Sequence, residues 1–452
     1  MSVLVISALF GIDVYAQDDF FGDIDIDIDR GPTADDSAWS YTGWLRQKAA
    51  YGLQAPSPPF SRTERDWSKL ETSLFLQFDT QLDDQTALRL STKYYVDSIY
   101  RLKGEENYSR AEVDEFESRF EVKDAYIETQ LNARSYVKLG QQIIAWGQAE
   151  NLRITDLVNT QDLYTYGQQD LEDLRLPVPA ALWSQRLGDV LVDGVITYRA
   201  GHDDVALAFD EFDPLISLRP LNVRTKLARP ERETEYFLRV SGHYDRGDWS
   251  VVAADANQNS ADVRGIVISS TLTIPTVLAL SQDRFQAFGV AGNWTRGSWL
   301  AFAEAGLHRG KRLQPAANQF FSQTSGWLEK DQVLSTVGLE YNGWTNTTIT
   351  SEFDYIHTRA HDSSLGSDAD QLGYSVRMLW SGFNDRVQAL AVWNQLPEDG
   401  GKILRLALDY DCSDSLKLGL LWVNYGAARA AQLYPYRYND ILQLQIEYSF
   451  QR

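Results

Sequence analysis

A single cysteine, Cys412, leaves no partner for an intrachain disulfide, a CxxC redox pair or a cysteine-ligated zinc site. Five histidines, at 202, 243, 308, 357 and 361, are spread too thinly for a histidine metal cluster. Basic residues are scarce as well. The 42 Lys and Arg face 63 Asp and Glu, and a net charge of −21 repels phosphate backbones, which excludes a nucleic-acid partner. No uninterrupted apolar run approaches the ~18–20 residues of a membrane-spanning helix. What the chain does have is aromatics: 13 Trp, 23 Tyr and 19 Phe in 452 residues. A polar average, many aromatics and no apolar helix leave two readings. One is a soluble all-β protein, and the other is a membrane barrel whose apolar signal is diluted by alternation.

The first residues read as an address. Val3–Ile12 is a short apolar run, and Val14-Tyr15-Ala16 before Gln17 has the form of a secretory cleavage site, although no basic residue precedes the run. An atypical leader over 1–16 is expected, then an acidic periplasmic tail over 17–40. Within that tail Asp23, Asp25, Asp27 and Asp29 alternate with Ile24, Ile26 and Ile28. Such a row could attract Ca²⁺ but lacks the glycine turn and closing Glu of an EF-hand, so a solvated tail is the better reading.

From Tyr41 to the end the hydrophobic period is two. Leu70, Thr72, Leu74, Leu76 and Phe78 share one face, against Glu71, Ser73, Phe75, Gln77 and Asp79 on the other. Leu442, Leu444, Ile446, Tyr448 and Phe450 repeat the pattern near the C-terminus. About 18 such runs can be counted. Short connections with turn chemistry, such as Asp83-Asp84, Gly188-Asp189, Arg296-Gly297 and Asn342-Gly343, alternate with long ones at 54–68, 101–118, 147–176, 201–232, 258–283, 310–330, 358–370, 397–401 and 427–438. Tight turns on one rim and long loops on the other describe a single antiparallel transmembrane β-barrel of the outer-membrane kind over 41–452. It should have 16–18 strands, with 18 preferred. No four-strand repeat supports a propeller, and a soluble β-sandwich is the poorer alternative. Trp44, Tyr100, Tyr136, Trp146, Trp183, Trp249, Trp294, Trp299, Trp344, Trp380 and Trp422 fall near strand ends, where rings would form interfacial girdles.

One connection is too long to be mere linkage. Residues 147–176 carry Asp156, Asp162, Asp170, Glu172 and Asp173 beside Arg153 and Arg175, with helical stretches expected at Thr155–Val158 and Asp170–Leu174. Folded into the lumen, this loop would narrow the pore, its acids meeting inward bases such as Arg89, Lys93, Arg239, Arg377 and Arg405. Outside the lumen it would be a cap. Ser241-Gly242-His243 is the one Ser–His neighbourhood, and its register points it away from lipid, against an outer-membrane acyl hydrolase. No motif calls for an enzyme, a cofactor or a bound metal.

Three phrases in and around this loop carry a resemblance. Gly140–Glu150 reads GQQIIAWGQAE, Leu152–Leu163 reads LRITDLVNTQDL, and Asp170–Pro177 reads DLEDLRLP. Together they resemble a domain-of-unknown-function family of large proteobacterial outer-membrane barrels. Those barrels are often encoded beside MMPL-type pumps of the resistance–nodulation–division class and a periplasmic lipoprotein-like partner. The resemblance implies residence in a Gram-negative outer membrane, among its lipid and lipopolysaccharide. It also implies passage of a solute, with the chain as outer partner of an inner-membrane exporter of a lipid or hydrophobic compound. The rival reading is a structural or adhesive barrel acting through its outer loops.

Overall fold

A computed structural model of the chain describes residues 39–55, 65–169, 173–206, 212–213, 223–260, 262–267, 276–315, 328–429 and 431–451. The expected leader lies outside them, as does the acidic tail up to residue 38. Trp39 and Ser40, placed in the tail by sequence, already belong to the first strand.

The period-two runs become the strands β1 (Trp39–Gly52), β2 (Trp67–Asp83), β3 (Thr86–Asp97), β4 (Ser118–Asn132), β5 (Ser135–Gln142) and β6 (Val178–Leu187). There follow β7 (Val190–Thr197), β8 (Glu235–Tyr244), β9 (Gly247–Asn257), β10 (Arg284–Arg296), β11 (Trp299–Leu313) and β12 (Leu328–Trp344). The last six are β13 (Thr347–Thr358), β14 (Asp370–Gly382), β15 (Val387–Gln395), β16 (Lys402–Ser413), β17 (Leu416–Gly426) and β18 (Ile441–Gln451). All 18 lie in one sheet, each antiparallel to its sequence neighbour, and β1 pairs with both β2 and β18. The sheet is closed, so no strand presents an unpaired edge, which is what a hydrocarbon surround demands.

Alternation then sorts the side chains. Leu74, Leu76 and Phe78 are exposed on the outside of β2 while Glu71 and Ser73 are buried inside, and Leu444 is 55% exposed on β18. So large an apolar exterior would aggregate in water and is at home in lipid. Connections of two to four residues join β2–β3, β4–β5 and so on through β16–β17 on one rim, and every long connection lies on the other. Among these a three-stranded sheet forms from Val223–Ala228, Thr276–Ser281 and Asp262–Val267. The β3–β4 loop holds two short helices, α1 (Ile99–Lys103) and α2 (Arg110–Phe116), where a plain loop beginning at 101 was expected.

Four aromatics leave the expected girdle. Trp44 and Tyr136 alternate onto the inward face, Tyr100 is buried in α1, and Trp146 is only 3% exposed beyond the end of β5. Trp183, Trp249, Trp294, Trp299 and Trp344 do stand on the outside. The strict period also slips within β4. Ser91 pairs with Asp124 and Thr92 with Val122, so Lys123 is the extra residue of a β-bulge.

Candidate functional site: the segment across the barrel

β5 ends at Gln142, four residues before its expected end, and the chain turns inward there. Gly140 sits at φ +133, where an added Cβ would lie 2.1 Å from the Ala125 carbonyl oxygen, so only glycine fits this close approach. Asn159 takes the Ile144 amide on its Oδ1 at 2.7 Å, and the Trp146 amide donates to Asp156 at 3.4 Å. Side-chain oxygens that capture backbone donors this way compete with helix formation. Among the described residues of 147–176 there is no α-helix, against the sequence expectation for Thr155–Val158. A two-residue ladder joins Thr160–Gln161 to Arg175–Leu176 instead.

The segment then reaches the far wall. Glu304, inward on β11, accepts the Gln148 amide, the Ala149 amide at 2.8 Å and the Thr155 hydroxyl at 2.9 Å. Glu352 on β13 accepts the Glu150 amide at 3.0 Å, the Asn151 amide at 3.3 Å and Asn151 Nδ2 at 3.0 Å. On β14, Ser375 accepts from Asn151 Nδ2 at 2.7 Å and Arg377 lies 3.5 Å from the Glu150 carboxylate. β13 and β14 stand eight and nine places from β5 in an 18-stranded ring, half the circumference. The chain therefore crosses the full width of the barrel.

Apolar packing fixes the near half. Ile144, Trp146, Leu157 and Val158 bury against Leu182, Val195, Phe237, Val252 and Phe285, so the inner face of β6–β10 is greasy. Glycines make room on β10 and β11. An added Cβ at Gly289 would meet Thr155 Cγ2 at 2.7 Å, and one at Gly306 would meet Ile154 Cγ2 at 2.7 Å. The return limb runs toward β1, β3 and β16–β18. There Tyr425 donates its hydroxyl to the Tyr166 carbonyl, Gln168 donates to the Asn439 carbonyl at 3.1 Å, and Tyr166 stacks on Tyr436 at 5.5 Å. A cavity of about 140 Å³ remains between this limb and the wall of β1–β4, lined by Lys48, Lys69, Glu71, Lys93, Tyr95 and Asp162. Burial raises the Asp162 carboxyl above its ordinary range, opposed by the Tyr164 amide it accepts at 3.0 Å.

The residues singled out by sequence divide sharply. Asp173 meets Lys93 at 2.5 Å, Lys123 at 3.7 Å and Arg46 at 4.0 Å. Asp156 instead pairs within the segment, with Arg175 at 3.1 Å, and Arg153 donates to the Asp156 carbonyl at 2.9 Å and the Asn159 carbonyl. Arg89 pairs on its own wall with Asp79 at 2.6 Å, and Arg239 lies over the Trp146 ring at 5.9 Å. Arg405 donates to the Gln169 carbonyl, and Arg377 takes Glu150, which sequence reasoning did not single out. Asp170 and Glu172 lie outside the described residues. At the far wall the expected polarity holds for Arg377 and Glu150, while the wall acids Glu304 and Glu352 hold the segment's backbone amides. Glu304 and Glu352 were recognisable as inward carboxylates, but nothing in the sequence marked their partners.

The barrel as a whole is similar in fold to porin-like outer-membrane barrels of known structure. The outer membrane protein OpdK from Pseudomonas aeruginosa is 10% identical, with 92% of this chain and 99% of that one covered and a TM-score of 0.50. OccAB4 and OccAB3 from Acinetobacter baumannii are 9% and 10% identical, each with 92% of this chain and 99% of that one covered and a TM-score of 0.52. At such identities the likeness is one of fold. No curated protein matches by sequence. The stretch from before β2 into β7, residues 62–194, which holds the whole crossing segment, matches the family described as Protein of unknown function (DUF1302).

Proposed function

We propose that the protein is an outer-membrane channel that this structure captures with its lumen obstructed by residues 143–169 and 173–176, and that solute passes when the segment leaves the far wall. One observation carries the reading. Among the described residues the far end of the segment is held by side-chain bonds to Glu304, His308, Glu352, Ser375 and Arg377 and by packing of Leu152 and Ile154 on Leu334, with no strand pairing across the lumen. Contacts of that kind can break without disturbing the barrel, whose ladder is continuous around them. The inward wall, mixed in charge through Glu71, Asp79, Arg89, Lys93, Glu128 and Lys138, suits an aqueous path once the segment moves. A barrel acting only through its outer loops has no use for a detachable partition.

The test is conductance in planar bilayers. Replacing residues 147–158 with a short Gly-Ser linker should convert a nearly silent barrel into one that conducts steadily. A variant that keeps the heat-resistant mobility of a folded barrel yet stays silent overturns the channel reading in favour of a surface scaffold. Service as outer partner of an inner-membrane exporter is the finer proposal and rests on the resemblance of 140–177. It predicts that crosslinking in intact cells joins the short-turn rim to a periplasmic or pump component.

A further inference from the structure

The outside of β6–β10 is not smooth. Ala181, Gly194 and Ala253 form the floor of a groove of about 510 Å³ walled by Trp183, Tyr236 and Phe288. These side chains point outward, alternating with Leu182, Val195, Phe237, Ala254 and Ala287, which are buried within. The groove occupies the half of the wall nearer the long loops, since Tyr236 and Gln286 stand one and two residues from the loop ends of β8 and β10.

At that end the lining turns polar, with Asp255 and Gln286. Asp255 holds Arg284, whose Nε lies 2.7 Å from its carboxylate and whose Nη1 donates to the Thr234 carbonyl at 2.9 Å. Directly opposite Gln286 on β11 stands Arg309, exposed on the outer face and without an ion pair among the described residues. The carboxylate of neighbouring Asp331 is engaged by the Gly310 amide at 3.0 Å. With a rise of ~3.3 Å per residue, Gln286 lies about 7 Å and Arg309 about 13 Å from the loop ends of their strands, level with one another across the ladder on the headgroup side of the wall.

In hydrocarbon an apolar groove is filled by chains, not by water, and a cation at headgroup depth selects an anion. We propose that this groove and Arg309 together bind a phosphate-bearing lipid of the loop-side leaflet. One acyl chain lies over Ala181, Gly194 and Ala253, and the phosphate oxygens accept hydrogen bonds from the Arg309 guanidinium. The site rests on the barrel spanning the membrane with its long loops outside, and is independent of whether the lumen conducts.

Native mass spectrometry of the intact barrel, titrated with diphosphorylated lipid A and with its dephosphorylated form, reads the site directly. Arg309→Gln should weaken binding of the phosphorylated lipid about tenfold, the scale of one charge-assisted bond, and leave the dephosphorylated lipid unchanged. Gly194→Leu fills the groove, since its added Cβ meets only Trp183 Cε3 at 3.7 Å, and should weaken both lipids. Arg296→Gln, on the short-turn rim, should weaken neither. Equal occupancy in wild type, Arg309→Gln and Gly194→Leu overturns the site, and so does wild-type barrel that retains no lipid. Equal binding of the two lipids to wild type overturns the phosphate contact. A barrel that holds the lipid yet never conducts sinks the channel reading and leaves this one standing.

Discussion

Glu304 is the point where the obstruction is most exposed to a single change. Its carboxylate takes the Gln148 and Ala149 amides on one oxygen and the Thr155 hydroxyl on the other. Hydrogen bonds to a charged acceptor contribute about 1.5–3 kcal/mol each, more than neutral ones. Glu304→Gln keeps the shape and one acceptor oxygen, removes the charge, and turns an amide NH2 toward a donor. Relief of the buried charge offsets part of the loss, because a carboxylate 2% exposed is costly to desolvate. A net loss of about 2 kcal/mol from the obstructed state remains, which shifts the ratio of obstructed to open barrels about thirtyfold. Single-channel recording measures that ratio as open probability. Asp79→Asn breaks a wall pair with Arg89 that does not touch the segment, and should leave open probability where it was. If Glu304→Gln behaves like Asp79→Asn in a folded barrel, the amides of 148 and 149 do not hold the segment, and the reasoning fails.

Two further outcomes are expected. Gly306→Val alters no charge but drives a side chain into Ile154, whose Cγ2 is 2.7 Å from an ideal Cβ there, so it should raise open probability at constant strand content by circular dichroism; an unaltered conductance would mean that the segment yields in place. In the loops, partial desolvation pushes the Glu398 carboxyl up to about 7, with the Asp368 charge adding to the rise and the Asp368 amide it accepts opposing it. A folded-state value above the ordinary 4.5 means the loop contact is fully stabilised below about pH 4.5 and loses that stability as pH rises through about 7. Hydrogen-exchange protection of the Asp368 amide, corrected for intrinsic rates, should therefore be greater at pH 5 than at pH 8, and Glu398→Gln should flatten the difference. Equal protection in wild type at both values would refute it.

The barrel was legible because two independent signals agreed. Alternation such as Leu442, Leu444, Ile446 and Tyr448 against Gln443, Gln445 and Glu447 names a strand with one face in lipid, and the register confirms it residue by residue against β17 and β1. Strictly alternating connection lengths then fix an up-and-down order that only closure can complete. Where the pattern breaks, the reading slipped. Lys123 is invisible as a bulge because both Lys123 and Asp124 are polar, and either could stand inward. Alternation carries β5 on to Trp146 and would put its ring at the interface. A tryptophan beyond a strand end can equally turn inward, and here it packs on Phe237 at 6.5 Å.

The site was less legible for a physical reason. Pairing acids of the loop with bases of the wall assumes that charges are what need partners, and Asp173 with its three bases obeys that assumption. A segment crossing a lumen without regular structure carries a more general debt, one amide donor at every residue, and burial makes each unpaired donor costly. Carboxylates discharge it best, because they accept several bonds and donate none. An inward Glu without a basic cross-strand neighbour is then a candidate acceptor for whatever irregular chain fills the barrel. Glu304 faces Thr336 and Ala291 across its strands, and Glu352 faces Gly338 and Ser375. Glu71, by contrast, faces Lys48, and Glu128 faces Lys138. That distinction depends on register rather than on composition, so it became readable only once the strands were paired.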